Sequence, residues 1–555
     1  MRRSAALKEP LPSPVITPSH GLARAALAVA SGLALGLAFP KFDFNLLAWV
    51  ALVPLLYAID GRRLRAVFGY SLLQGFVFYL VTLYWIVIPL HTFAGVAMWI
   101  AAGPMLLLVG VEALFIGATL VSAVFVTRRL RMPLVLTLPV AWVAIEWLRT
   151  FFPIGFPWNF IGYTAYRNLG LIQFAEITGV YGVSALIVLF NAVVYTVIAA
   201  PGRAHTLKIR SLSVLTVLMV AAMVFSGLRI SQLQHQKYDG SLKVAMVQGD
   251  IPQSIKWNPN FLPSSFKVYV DQTMKASRDH PDVIVWPEAA AAFYFQPRDL
   301  YPPQLATDAE YRAKLLQLAR DAHTPLLFGA PALRFGRNEI DSYNRAYLVS
   351  ADGQVVDYYD KIDLAPFAEY VPFRQLFGFF VHKVVVGLGE FVPGTRQTLF
   401  NIKGAELAVL ICYEGIFPDL SRNAVDHGAD VLVNITNDAW YGNSSAPYQL
   451  LAMSALRSVE THTPMVRVAN TGISAIIQPD GRITARTDLF TRGTEIRTVQ
   501  WRHGRTIYCV VGDVFAQACF GLTIIGLMLA MANPRHPQGA DVLHDPDLLS
   551  ANSWH

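Results

Sequence analysis

The chain has 555 residues, of which 54% are hydrophobic and only 15% charged, and its mean hydropathy is +0.41. A water-soluble protein of this length has no use for so much apolar surface, so membrane spans are expected before any motif is sought. The net charge of +7 does not signal nucleic acid, because the basic residues form short clusters between apolar runs instead of one basic face or block.

Residues 1–20 (MRRSAALKEPLPSPVITPSH) are polar, basic and proline-rich, the composition of a disordered tail. Run 21–40 resembles a signal-peptide core, but no small-residue cleavage site follows and further apolar runs come at once, so it is read as a retained first span. The next candidates are 45–59, 66–90, 94–126, 133–147, 179–200 and 211–228, with an eighth at 507–531. The second and fifth are short enough to be tilted or partial. Arg62, Arg63 and Arg65 lie between spans two and three, Arg128, Arg129 and Arg131 between four and five, and Arg203, Lys208 and Arg210 between six and seven. Lys and Arg stay on the cytoplasmic side. That puts the N-terminus inside, a seven-helix region over 21–229, a large extracytoplasmic block over 230–506, and a cytoplasmic tail over 532–555 after the last span.

The outer loop 149–176 is aromatic and apolar, and Pro153, Gly155, Pro157 and Gly162 argue against a plain helix. It reads equally well as a plug in the bundle and as a lipid-binding element. Glu112 and Glu146 sit inside apolar runs, where a charged carboxylate costs roughly 2.5–3.5 kcal/mol. They mark either a polar cavity or glutamates paired within the bundle.

Block 230–506 alternates strands and helices. Strands are expected at 243–247, 282–286, 325–328, 343–349, 355–359, 407–411, 429–435, 465–468 and 473–477, and helices at 264–277, 308–322 and 446–460. Ala351-Asp352-Gly353 and Pro479-Asp480-Gly481 read as hairpin turns. The mixture implies a layered α/β domain with some antiparallel pairing.

Within it, AVLICYEGIFPD (408–419) runs an apolar strand into Cys412 at a glycine-marked turn. That arrangement suits a presented nucleophile, and it suits a small buried apolar residue as well. The other cysteines, Cys509 and Cys519, fall in or beside the last apolar run, so no disulfide framework or CxxC metal site can be built. Glu288 follows the strand in VIVWPEAA, and Lys361 follows another in VVDYYDKIDLAPFAEY. Alone, each reads as a solvated turn residue. Glu, Lys and Cys at equivalent strand ends, in that order, are far more specific.

This order resembles the catalytic set of the nitrilase superfamily. The segments QGDIPQSIKW (248–257), WPEAA (286–290), SYN (342–344), DKIDLAPFAEYVP (360–372), ICYE (411–414), NITNDAWYG (434–442) and ANTGISAIIQPDG (469–481) resemble its membrane branch, the apolipoprotein N-acyltransferases. The resemblance implies a bundle of about eight transmembrane helices carrying a periplasmic αββα sandwich, in a bacterial inner membrane with both termini cytoplasmic. It implies acyl transfer from a phospholipid, through a Cys412 thioester, to the α-amine of a diacylglyceryl-modified apolipoprotein. Glu288 would be the general base and acid, Lys361 and the Tyr413 N–H the oxyanion donors, and Glu369 the support of the Lys–Glu arrangement. No cofactor or metal is implied, since the ester already carries the activation, and a monomer is expected.

Gln253 and Trp257 resemble acyl- or headgroup-pocket positions, and Asn344 and Glu414 are expected in the site wall. Arg149, at the outer membrane edge, suits either a phosphate or simple anchoring. Segment 374–391 (RQLFGFFVHKVVVGLGEF) reads as a lid dipping into the bilayer, or as a covered strand. On the lid reading, serine at Phe379 and Phe380 should impair lipid turnover in a micelle assay while leaving the fold intact; unchanged turnover would remove that role. The alternative enzyme is a membrane-anchored amidohydrolase that passes the acyl group to water. A transporter or scaffold would leave the Glu, Lys and Cys as coincidence.

Overall fold

The computed structural model describes residues 21–93, 95–152, 154–199, 205–296, 305–335, 340–370 and 390–533. Among these, six helices are long and apolar enough to cross a bilayer: Gly21–Ala38, Leu64–Phe93, Met98–Leu130, Val180–Ile198, His205–His235 and Val514–Ala532. The expected second and fifth spans are the shorter apolar helices Asn45–Ile59 and Leu134–Leu148. The former is broken, because Pro54 has no N–H to donate and restarts the helix at Val53–Ile59. The expected last span is also interrupted. Gly512, at φ +66°, separates Ile507–Val511 from Val514–Ala532, and a Cβ there would lie 2.6 Å from Arg422 Nη1. Small residues let the first helix lie close on its neighbour: a Cβ on Gly32 would come within 2.5 Å of the Gln74 carbonyl oxygen.

The strands are β1 Gly240–Gln248, β2 Val283–Val285, β3 Leu326–Phe335, β4 Ile340–Val349, β5 Val355–Asp360, β6 Leu399–Ile402, β7 Ala405–Ile411, β8 Val431–Thr436, β9 Met465–Ala469, β10 Ala475–Ile477, β11 Ile483–Thr484 and β12 Gly493–Trp501. They form two six-stranded sheets, ordered β12-β1-β2-β3-β4-β5 and β11-β10-β9-β8-β7-β6. In each, three parallel strands (β1–β3, β7–β9) are flanked by antiparallel ones. The expected hairpins join β4 to β5 and β10 to β11.

Period-two alternation places the layers. On β7, Leu407, Val409 and Ile411 face the other sheet and meet Val244, Val285 and Leu327. Ala408 and Leu410 face the opposite way, into the helices Pro418–Asp426 and Ala446–Thr461. Helices Leu262–Ser277 and Ala306–Ala322 cover the first sheet. The result is an αββα sandwich.

The second helix layer is itself covered by the membrane bundle, and the two share one apolar core. Every residue of Ala446–Thr461 except Tyr448 is buried. Polar pins cross the junction: Trp85 and Trp158 Nε1 both donate to Gln449 Oε1, at 3.2 and 2.8 Å, and the Val180 N–H donates to Glu460 Oε1 at 2.8 Å. Much of loop 149–176 fills this junction, with Trp158, Phe160 and Tyr163 buried, while Phe151 and Phe152 remain exposed.

Strands β6, β11 and β12 and the helix Pro418–Asp426 were outside the sequence expectation. β6 and β11 have only four and two residues. β12 (GTEIRTVQW) is polar along most of its length and buries only Val499 and Trp501. Its place is set by pairing with β1 along the whole of that strand.

Candidate active site

Glu288 and Lys361 leave the carboxyl ends of β2 and β5 in the first sheet, and Cys412 leaves β7 in the second, so the group assembles across the sandwich. Cys412 has φ +53°, a left-handed conformation that a residue with a Cβ adopts only when its surroundings enforce it. The residue turns the strand into the 3₁₀ turn Cys412–Ile416. Asn434 Nδ2 stitches this elbow by donating to the carbonyls of Leu410 and Cys412, at 2.9 and 3.3 Å. Burial, and then Glu288, push the thiol well above its ordinary pKa, against Lys361. It is therefore protonated at rest and needs a base.

Lys361 is 1% exposed. Its Nζ lies 2.7 Å from Glu369 Oε2 and 3.9 Å from Glu288 Oε1. Burial opposes its charge, but Glu369 and then Glu288 hold the ammonium well above its ordinary value. Asn344 Nδ2 donates to Glu288 Oε1 and Glu369 Oε1, at 2.8 Å each. The Ala365 N–H holds Glu369 Oε2 at 2.7 Å, and the Asn437 N–H holds Glu288 Oε2 at 2.9 Å. Each carboxylate is thus oriented by donors from separate segments. A buried carboxylate, a fixed cation and a thiol on a strained elbow are the kinds of group that nucleophilic catalysis calls for.

Residues 31–193 match the family described as "Apolipoprotein N-acyltransferase N-terminal domain", and residues 243–507 match "Carbon-nitrogen hydrolase". The apolipoprotein N-acyltransferase of Geobacter metallireducens is 38% identical over 519 residues, covering 92% of this chain and 96% of that protein. That of Methylococcus capsulatus is 32% identical, covering 88% and 92%. The chain belongs to the apolipoprotein N-acyltransferase family. An amidase from Nesterenkonia sp. superposes with a TM-score of 0.36 at 20% identity, over 50% of this chain and 95% of its own.

Seen as a family member, the chain places its remaining candidates unequally. Gln253 Oε1 accepts from Asn437 Nδ2 at 2.8 Å, beside the Glu288 support, and Trp257 ends the same turn half-buried. The Tyr413 N–H belongs to the first turn of the elbow, where such groups lack partners within the turn. Its ring stacks toward Trp158 and its hydroxyl donates to the Gly155 carbonyl at 3.0 Å, tying the elbow to the membrane loop. A cavity of ≈ 530 Å³ opens there, with Thr150, Gly155, Ile362, Tyr413 and Phe417 in its walls.

Two candidates lie deeper than the sequence suggests. Glu414 stands behind the elbow, one residue past Tyr413. It is fully buried, with Oε1 accepting from Tyr359 Oη and the N–H groups of Ile362 and Asp363, and Oε2 from the Ile411 N–H at 2.6 Å. It braces the segment after Lys361 against the Cys412 elbow. Glu414→Gln must turn an NH₂ against one of these donors, at a cost of about 1–3 kcal/mol. It should lower acyl-adduct formation at least about tenfold with the fold retained by circular dichroism; undiminished adduct formation would show that the brace does not position the site. Arg149, for its part, is buried inside the bundle and not at its outer edge. It is 3% exposed, lies 2.6 Å from Glu112 Oε2 and donates to the Trp158 carbonyl at 2.8 Å. The intramembrane carboxylate is thereby paired inside the bundle. Glu146 is likewise buried, accepting from Trp142 Nε1 and the Ile161 N–H. Phe379 and Phe380 lie outside the described residues.

One neighbour of the site escaped the sequence reading. Lys256 is 3% exposed and its Nζ donates to the Glu288 carbonyl at 3.1 Å. The available signal was its spacing: three residues beyond Gln253 in a helical turn, it shares that residue's face.

Proposed function

We propose that this protein moves an acyl chain from a membrane phospholipid, through a Cys412 thioester, to the α-amine of the N-terminal S-diacylglyceryl-cysteine of an apolipoprotein. The observation that carries this reading is the meeting of Cys412, Glu288, Lys361 and Glu369 in a sandwich whose helix layer is seated on apolar helices. Glu288 takes the thiol proton as sulfur bonds to the ester carbonyl carbon. Lys361 and the Tyr413 N–H stabilise the oxyanion. The C–O bond then breaks, and Glu288 returns the proton to the departing lysophospholipid. In the second half the α-amine attacks the thioester, Glu288 accepts its surplus proton, and as the C–S bond breaks Glu288 passes that proton to the sulfur, leaving an amide, the free thiol and the ionised carboxylate.

The arginine clusters support an arrangement of eight spans in a bacterial inner membrane, with cytoplasmic termini and the sandwich in the periplasm. A monomer suffices for the chemistry, since all four residues come from one chain.

The test is the intact mass of the detergent-solubilised protein after incubation with a defined phospholipid and no acceptor. A gain of one acyl chain, removed by neutral hydroxylamine and discharged into an amide by a diacylated lipopeptide, is expected. Hydrolysis of small amides with no acyl adduct from any phospholipid would establish the amidohydrolase instead.

A further inference from the structure

The acyl-transfer scheme leaves Lys256 without a role. An ammonium this deeply buried costs several kcal/mol unless opposite charge lies close by, and its Nζ is spent on the main chain of Glu288. The carboxylates Glu288 and Glu369 share the Asn344 amide, and Lys361 is the cation in direct contact with Glu369. With Lys361 alone, this buried group carries one surplus negative charge whenever Glu288 is ionised and ready to act as base.

We propose that Lys256 is a positioning residue of the acyl-transfer site: it holds the Glu288 segment by its carbonyl and supplies the second positive charge that keeps the Glu288 carboxylate available as base. With it, the site is neutral both before and after the thiol proton moves to Glu288; without it, both states carry the surplus negative charge, which disfavours the ionised Glu288 in a buried site. The Glu288 function assumed here is that of the proposed acyl transfer. Burial pulls the Lys256 ammonium down to about 8, against Glu288 and Cys412, which raise it. The charged and titratable groups around it are Glu288 and Cys412, with Lys361 and Glu369 beyond Glu288 and Asp438 acting on the thiol.

The experiment uses full-length protein in detergent carrying Lys256→Met or Lys256→Arg, with two readouts over pH 5–10. One is alkylation of Cys412 by iodoacetamide, read by peptide mass. The other is thioester formation from micelles containing phosphatidylethanolamine and phosphatidylglycerol. Lys256→Met should move the lower limb of both profiles upward by about one pH unit, which is about a tenfold loss near neutrality. Lys256→Arg should keep that limb in place and move any fall in thioester formation near pH 8 to higher pH. Limbs that stay put in Lys256→Met, whatever the absolute rates, would overturn the proposal, because a packing role lowers rates without moving them. If the wild-type protein forms no thioester, the acyl-transfer reading fails on that result, and the alkylation profile still decides the role of Lys256.

Discussion

Cys412→Ser should cut acyl-adduct formation from phospholipid by about 10³-fold or more and change the bond in whatever adduct remains. The native thiol is neutral at rest, because burial outweighs the pull of Lys361. On the proposed scheme its proton leaves during attack, toward Glu288. A serine hydroxyl gives up its proton far less readily than a thiol, and the same carboxylate has too little basicity to draw it off at a useful rate. The left-handed backbone at this position is maintained by the elbow and its Asn434 bonds, so the substitution changes chemistry more than geometry. Residual acylation of the introduced hydroxyl would give an oxyester that survives neutral hydroxylamine, whereas the native adduct is cleaved. Intact mass before and after hydroxylamine separates the two. A hydroxylamine-labile adduct persisting in Cys412→Ser would move the nucleophile to Cys509 or Cys519. Both are buried in the C-terminal helices, where Cys509 is held by Thr506, and neither is expected to acylate.

The parts of the site that were legible in the sequence are those set by short-range pattern. A buried strand followed by a turn announces its own carboxyl end, and Glu288, Lys361 and Cys412 each sit at such an end. The two hairpins were equally legible, because Gly353 and Gly481 adopt the positive φ their turns require. What could not be read depends on partners far apart in the chain. Arg149 looks like an interfacial residue until the helix holding Glu112 packs beside it. Glu414 reads as a site-wall residue until the Lys361 segment folds over it with two backbone N–H groups. β12 carries almost no hydrophobic signal of its own and becomes a strand because β1 offers an edge. Lys256, in a polar turn, is buried by tertiary packing that no local window contains.

Lys361→Met should have the second largest effect, and its two consequences can be separated. First, it strips a buried cation from 2.7 Å of Glu369 and 3.9 Å of Glu288. Breaking a buried pair from one side costs about 3–5 kcal/mol, since the remaining charge stays desolvated. The unfolding midpoint in detergent should fall accordingly. Second, it removes the side-chain donor proposed for the oxyanion, a loss of about 10²–10³ in rate. Adding Glu369→Gln tells the two apart. With the unpaired charge gone, part of the lost stability should return, limited by the amide hydrogen that must now face either Asn344 Nδ2 or the Ala365 N–H. Thioester formation should stay as low as in Lys361→Met, because the oxyanion still lacks its ammonium. Wild-type acylation in the double variant would mean that Lys361 serves only to neutralise Glu369, leaving the oxyanion to backbone N–H groups such as that of Tyr413. The cycle rests on contacts within one buried cluster, where single effects are not additive, so the coupling itself measures how far Lys361 and Glu369 act as a unit.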